Sequence, residues 1–218
     1  MLLRGRIDRV DLWRDDGGSA LCVVVDYKSS QKQLDPLLMA HGIQLQLPAY
    51  LNVLRHWPNP GKAFGVSRLI PAGVFYVNLR GKYERGDNRD EALAAPAEAR
   101  KAAYQHAGRF DAAQLRKLDT RPDARKGDQF KYSLNKDDSI SGTSRDPVDP
   151  ADFIALLDGV ETNLKEMGRA IYAGEAGIDP YRKGNALACD QCDYRAICRI
   201  DPWTHTYRVL RQADETAG

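Results

Sequence analysis

Long apolar runs are missing from this chain: none approaches the roughly 20 residues that a bilayer-spanning helix needs. The N-terminus shows neither the apolar core nor the small-residue cleavage site of a secretory leader. No membrane-spanning helix is expected, and a cytoplasmic location is. An excess of one charge is missing too. The 32 basic residues stand against 30 acidic ones, a net of +2, so any contact with a polyanion must come from local patches rather than the overall field. No G-x-x-x-x-G-K-[ST] stretch occurs, which excludes a P-loop nucleotide site from these 218 residues. Cysteine is scarce as well. Of four in the chain, three fall between 189 and 198, a crowding that suits metal ligands better than a disulfide framework. What remains is ordinary: 43% hydrophobic and 28% charged, enough for one sizeable core, or for one domain with a substantial insertion.

The most informative stretch is Leu21 to Ser30, Leu-Cys-Val-Val-Val-Asp-Tyr-Lys-Ser-Ser. Its apolar, Val-rich start reads as a buried strand that runs straight into an acid, an aromatic and a base. Side chains alternate along a strand, so Asp26 and Lys28 project from one face about 7 Å apart and Tyr27 from the other. Residues 5–14 read as a second strand, and Asp15-Asp16-Gly17-Gly18-Ser19 as the turn that joins it to 20–28 in a hairpin. That pairing brings Asp8 toward Asp26 and Lys28, and Gly5 leaves room for a close approach. Asp11 has the opposite parity to Asp8 and should face away. The chain opens with no element to cover this first strand, so it is expected to begin inside a longer protein.

Two carboxylates beside an ammonium suit phosphodiester hydrolysis. Asp8 and Asp26 can hold Mg²⁺ or Mn²⁺ through hard oxygen ligands, with the Tyr27 carbonyl a further ligand, and Lys28 can stabilise charge that builds on the phosphorus oxygens. After a polar connector containing His41, which could also approach the site, residues 43, 47, 50, 51 and 54 give one apolar face of a helix eased at Pro48. On it Gln46 and Tyr50 are four apart, stacking an amide and a phenol where a water or a phosphate could be held. A packed Tyr with Gln at the helix edge is the plainer reading of that pair.

Leu69 to Leu79 reads as a core strand after Gly73. From about 81 to 148 the composition shifts, and this region is expected to be an insertion. It would hold an Ala-rich helical stretch at 90–108, a short helix near 112–118, a basic turn at 121–126 and a hairpin of 129–134 against residues beyond 138. Lys131 and Tyr132 could meet a DNA strand there by charge and stacking. Asp149-Pro150 starts a long helix whose stripe of Phe153, Ile154, Leu157, Val160, Leu164, Met167 and Ile171 reads as core. Cys189, Cys192 and Cys198 then have C-x2-C-x5-C spacing, which lets three thiolates converge from a loop and a short helix on zinc or an iron–sulfur cluster.

Gly5-x-x-Asp8, Asp26-x-Lys28 and Gln46-x-x-x-Tyr50, in this order, resemble the motifs of the RecB-type branch of the PD-(D/E)xK nuclease superfamily. The resemblance implies an α/β fold, a restriction-endonuclease-like core with a central mixed sheet flanked by helices, over a single domain 1–218. It also implies that Asp8 and Asp26 bind metal, that Lys28 is the catalytic lysine, and that Gln46 and Tyr50 are auxiliary. With the cysteines at 189–198, the long helix and the Asp179-Pro180-Tyr181 approach, nearly the whole chain is similar to the C-terminal nuclease domains of the AddB family. That likeness implies an Mg²⁺-dependent exonuclease acting on single-stranded DNA unwound with an AddA-like partner during recombinational repair. In that family the three cysteines and one far upstream hold a [4Fe-4S] cluster. Cys22 lies in the buried strand, about 13 Å along from Asp26, so the cluster site is expected to be incomplete here and 183–201 to be disordered or repositioned. A stand-alone or Cas4-like nuclease and a non-catalytic DNA clamp are the alternatives.

Overall fold

The computed structural model describes residues 3–79, 88–90, 104–190, 192–201 and 203–211. Strands β1 (Arg9–Arg14) and β2 (Ser19–Lys28) form the expected hairpin, antiparallel from Arg9↔Val25 to Arg14↔Ala20. Asp15 closes the turn, its carboxylate accepting from the Ser19 amide at 2.7 Å, and Gly18 adopts φ 78°, where a side chain would be strained. Three short helices then cross over the sheet: α1 (Pro36–Ala40), α2 (Gln46–Arg55) and α3 (Pro60–Phe64). They lead to β3 (Arg68–Asn78), which lies parallel to β2. The crossover follows from geometry, since parallel neighbours cannot be joined by a tight turn.

β3 starts five residues before Gly73, earlier than the sequence suggests, because the register skips a residue between Cys22↔Pro71 and Val23↔Gly73. That irregularity absorbs Pro71, which has no amide to give a ladder. β4 (Ala107–Asp111) is antiparallel to β3, and a 3-10 turn (Ala112–Gln114) with α4 (Leu115–Leu118) follows it. β5 (Pro147–Val148) pairs parallel to β4, giving a mixed sheet of order β1-β2-β3-β4-β5. Residues 107–148, which the sequence puts in an insertion, thus supply two strands of the central sheet. Most of the Ala-rich stretch 90–108 lies outside the described residues.

The sheet is buried on both faces, which is why β2 reads as an unbroken apolar run. Ala20, Cys22 and Val24 face Leu47, Leu51 and Leu54 of α2 and Phe153 and Leu157 of α5 (Pro150–Tyr172). Leu21, Val23 and Val25 face a second cluster with Phe75, Phe110, Phe130 and Tyr132. α2 and α5 are also tied by Asn52, whose buried amide donates to the Leu157 carbonyl at 2.6 Å. α1, α3 and α5 each begin with a polar cap followed by Pro, at Asp35-Pro36, Asn59-Pro60 and Asp149-Pro150. The cap oxygen accepts an orphan amide while proline fills the position that needs none.

Three expectations change here. α2 begins at Gln46, not Ile43, and Pro48 sits in its first turn, where amides have no helical partner and no kink results. The 129–134 hairpin is reduced to its tip, the Leu134↔Ile140 bridge with Ser141 donating to the Ser133 carbonyl at 2.9 Å, while Phe130 and Ser133 form isolated bridges to His106 and Lys126. Phe130 and Tyr132 turn inward to fill the second core cluster instead. Finally, α5 buries only the first half of its stripe, through Phe153, Leu157 and Val160, while Ile154 is at the edge of exposure and Met167 and Ile171 are exposed. No element packs on its far end among the described residues. No described helix is long and apolar enough to cross a membrane.

Past α5, β6 (Tyr181–Lys183), β7 (Ala186–Leu187) and β8 (Arg208–Val209) make a small second sheet in the order β7-β6-β8. α6 (Arg195–Cys198) lies between β7 and β8, so the cysteine-rich segment 183–201 has local structure.

Candidate active site

Asp26 ends the buried part of β2. Its parity places it on the face that α2 covers, and its side chain is only 7% exposed. An ionised carboxylate so placed demands a partner, since desolvating a charge costs several kcal/mol. Lys28, two residues on and on the same face, brings its ammonium to 2.6 Å from Asp26 Oδ2. The approach is close but poorly aligned, and that buried oxygen has no well-formed hydrogen bond. The pair therefore offsets the buried charge by proximity rather than by a well-directed hydrogen bond.

Asp8 meets them from β1. One step past the last ladder pair, Arg9↔Val25, Asp8 comes opposite Asp26, and its Oδ2 accepts the Tyr27 amide at 3.2 Å. The carboxylate thus takes the place of the next backbone rung, and its exposed side faces solvent. Tyr27 points the other way, as strand alternation requires, where its hydroxyl accepts from Arg9 at 3.2 Å. Arg9 also binds Asp11 at 2.7 Å, which puts Asp11 on that far face, apart from the acidic pair.

α2 supplies the other side. Gln46 donates to the Tyr50 hydroxyl at 3.3 Å, and Tyr50 is half-buried against the core beside Ile7. Gly5 lies against the Tyr50 ring: a Cβ there would stand 2.7 Å from Cε1 and 2.8 Å from the hydroxyl oxygen. The glycine is needed for space, not for its backbone angle. Gly5, Asp8, Asp26, Lys28, Gln46 and Tyr50 therefore border one end of the β1–β2 ribbon. His41 is elsewhere, its Nε2 3.0 Å from the Arg211 carbonyl.

Sequence reasoning missed Tyr76. It is opposite Asp26 on β3, buried, with the Lys28 ammonium 5.7 Å from its ring centroid. Burial, and then the charge of Asp26, push the Tyr76 phenol above its ordinary pKa, so it stays neutral beneath the ion pair. Its aromatic face attracts the ammonium and restricts where Lys28 can go. Strand parity alone could have flagged it, but only with the β2–β3 register known. Asn78 is the buried residue opposite Lys28.

The donor set fits a hard divalent cation. Asp8 and Asp26 are carboxylates at the same end of the hairpin, one of them exposed, and Mg²⁺ is commonly held by one or two carboxylates completed by water and substrate oxygens.

The cysteines are arranged differently. Cys192 is exposed and Cys189 and Cys198 are half-buried, and among the described residues no three Cys, His, Asp or Glu side chains gather as a metal site. The expected convergence of Cys189, Cys192 and Cys198 is therefore not formed among the described residues. Three cysteines are also one ligand short of the four that a [4Fe-4S] cluster takes. Cys22 is fully buried, its thiol donating to the Ile70 carbonyl at 3.4 Å, and burial pushes its pKa up to about 12. Tyr132 is not available to a DNA base either. It is 6% exposed, and its hydroxyl donates to Asp119 at 2.7 Å.

A Moorella thermoacetica protein, named as one of the subunits of an ATP-dependent helicase/deoxyribonuclease, is 34% identical over 206 residues, 93% of this chain and 17% of that protein. Those of the same name from Alkaliphilus metalliredigens and Bacillus thuringiensis are 31% and 32% identical over 93% and 90% of this chain. The chain spans about 17% of the length of these curated relatives. Residues 1–199 match the family model of the PD-(D/E)XK nuclease superfamily, and with Asp26 and Lys28 on an inner strand of a mixed sheet and Asp8 just before the edge strand beside it, the chain belongs to that superfamily.

Proposed function

We propose that this chain is the nuclease domain of an AddB-like helicase–nuclease subunit. It acts as an Mg²⁺- or Mn²⁺-dependent exonuclease on single-stranded DNA unwound together with an AddA-like partner, in cytoplasmic repair of double-strand breaks by recombination. The observation that carries this reading is the buried Asp26 carboxylate, ion-paired with Lys28 at 2.6 Å, at the strand end where Asp8 accepts the Tyr27 amide. A second carboxylate set beside a buried ion pair adds repulsion that a purely structural pair does not need and that a bound cation offsets. The names of the relatives support deoxyribonuclease activity and a multisubunit setting.

Asp8, Asp26 and the Tyr27 carbonyl would hold the divalent ion, which when bound polarises a phosphoryl oxygen and lowers the pKa of water. Lys28 faces the charge that accumulates on the phosphorus oxygens as water adds and the ester bond breaks. It acts there as a compact point charge, which a guanidinium would not reproduce. Tyr50, steadied by Gln46, orients the phosphate or the incoming water. In a longer parent, Cys189, Cys192 and Cys198 would serve a [4Fe-4S] cluster once a fourth ligand from outside 189–198 joined them. Iron and sulfide analysis of the parent protein tests that assignment.

The decisive assay is cleavage of a labelled single-stranded oligonucleotide with Mg²⁺ or Mn²⁺. Asp26→Ala should abolish it while circular dichroism shows the fold kept. Cleavage retained in that variant would remove the site from the reading.

A further inference from the structure

A cleft of about 790 Å³ opens beside β4, between residues 33–38, 126–133 and 143–146. β5 pairs with only Phe110 and Asp111, so the outer edge of β4 at 107–109 is left to line this cleft. In place of a strand, Asp146 covers that edge, its carboxylate accepting the Gly108 amide at 3.0 Å.

The charge of the cleft is unbalanced. Its two acids have internal partners: Asp35 caps α1 and pairs with Lys183, and Asp146 lies 3.8 Å from the buried Arg109. Arg109 in turn donates to the Arg145 and Leu34 carbonyls, so it forms part of the floor. Lys126, Lys131 and Arg145 line the mouth, are exposed, and make no ion pair among the described residues. Lys131 is near enough for its charge to act on Asp146, yet three exposed cations without a salt bridge around a cavity of this size favour an extended anion.

The cleft also lies in line with the acid pair. The register runs Asp26↔Tyr76 and Tyr76↔Ala107, and Ala107 is in the cleft wall. Two interstrand steps put that wall about 10 Å from Asp26 across the sheet. Tyr76 packs on the same face as Asp26, and the cleft opens at the sheet edge where the two faces meet, with Leu34 of one core cluster and Tyr132 of the other in its wall.

We propose that this cleft is a subsite for the sugar–phosphate backbone of the DNA strand, with Lys131 and Arg145 contacting phosphates next to the one held at Asp26 and Lys28. The proposal rests on the nuclease reading for its substrate. Lys131 thus keeps the nucleic-acid role suggested by the sequence, while Tyr132 beside it becomes core.

The test is the salt dependence of binding, measured by fluorescence anisotropy in EDTA with a single-stranded oligonucleotide of about 20 nucleotides, longer than one domain covers. Each phosphate contact contributes about 0.7 to the slope of log K against log salt for a single strand. Lys131→Gln/Arg145→Gln should lower the slope by about 1.4 and weaken binding roughly tenfold at low salt. Lys131→Arg/Arg145→Lys should keep the wild-type slope. An unchanged slope in the glutamine pair overturns the subsite, and so does an equal fall in the charge-conserving pair. Asp26→Asn separates the two readings, because it should lose Mn²⁺-dependent cleavage, yet in that background the glutamine pair should still lower the slope by about 1.4. Cleavage surviving in Asp26→Asn would sink the nuclease assignment, whereas the subsite is decided by the slopes.

Discussion

Gly5→Ala is the smallest change that should disable the site without unfolding the protein. The added methyl would lie 2.7 Å from Tyr50 Cε1 and 2.8 Å from its hydroxyl oxygen, inside any observed Cβ contact. Reaching van der Waals distance requires a displacement of roughly 0.7 Å. The segment that carries Gly5 into β1 is held by the Asp8–Tyr27 contact and by Ile7 against the core, so the ring moves in preference to the backbone. Tyr50 then leaves Gln46, whose bond to it is already long at 3.3 Å. A misplacement approaching 1 Å in a positioning group costs up to about 100-fold in rate. kcat/KM for single-stranded DNA should fall about 10- to 100-fold, with Tm within a few degrees of wild type. A double-mutant cycle makes the test specific: in a Tyr50→Ala background, Gly5→Ala should cost almost nothing more. Additive losses, or full activity in Gly5→Ala alone, would refute the argument that the glycine exists to seat the ring.

Tyr76→Leu should weaken the hold on Lys28 by about 0.5–1 kcal/mol, a two- to fivefold loss in kcat, and Tyr76→Phe should restore most of it. Asp119 is held down to a pKa of about 2 chiefly by Arg121, so its contribution to stability is complete above its ordinary value of 3.8 and fades as pH falls toward 2. Because Arg121 is half-exposed, that contribution is about 1 kcal/mol after screening, and urea midpoints of wild type and Asp119→Asn should converge as the pH is lowered from 6 to 3. Phe153→Ala, at a fully buried position, should cost about 3–5 kcal/mol in chemical denaturation, while Ile171→Ser, at 68% exposure, should cost less than about 0.5.

The parts of the site that were legible in the sequence are those set by short-range geometry. Parity along one strand put Asp26 and Lys28 together and Tyr27 opposite, and the i, i+4 spacing joined Gln46 to Tyr50. A turn of Asp and Gly residues fixed the hairpin, and with it Asp8. Tyr76 was hidden because its place depends on the parallel register of β3 against β2, which only the crossover through three helices determines. Tyr132 was misread because a tyrosine in a polar stretch fits solvent and core equally well, and only Asp119 beneath it settles the choice. The stripe on α5 shows the same limit: periodicity reports which face is apolar, not whether another element covers it.

The first helix of the crossover is fastened at both ends to the small C-terminal sheet. Asp35, which caps the start of α1, pairs with Lys183 in β6, and His41, which closes it, meets the Arg211 carbonyl just beyond β8. α1 hands the chain from the acid-bearing strand to the helix that carries Gln46 and Tyr50. The cysteine segment, looped between those two anchor strands, is therefore geared to the helix bearing Gln46 and Tyr50 by a pair of rivets, and any tightening of that loop would be felt at the end of the hairpin where Tyr50 lies against Gly5.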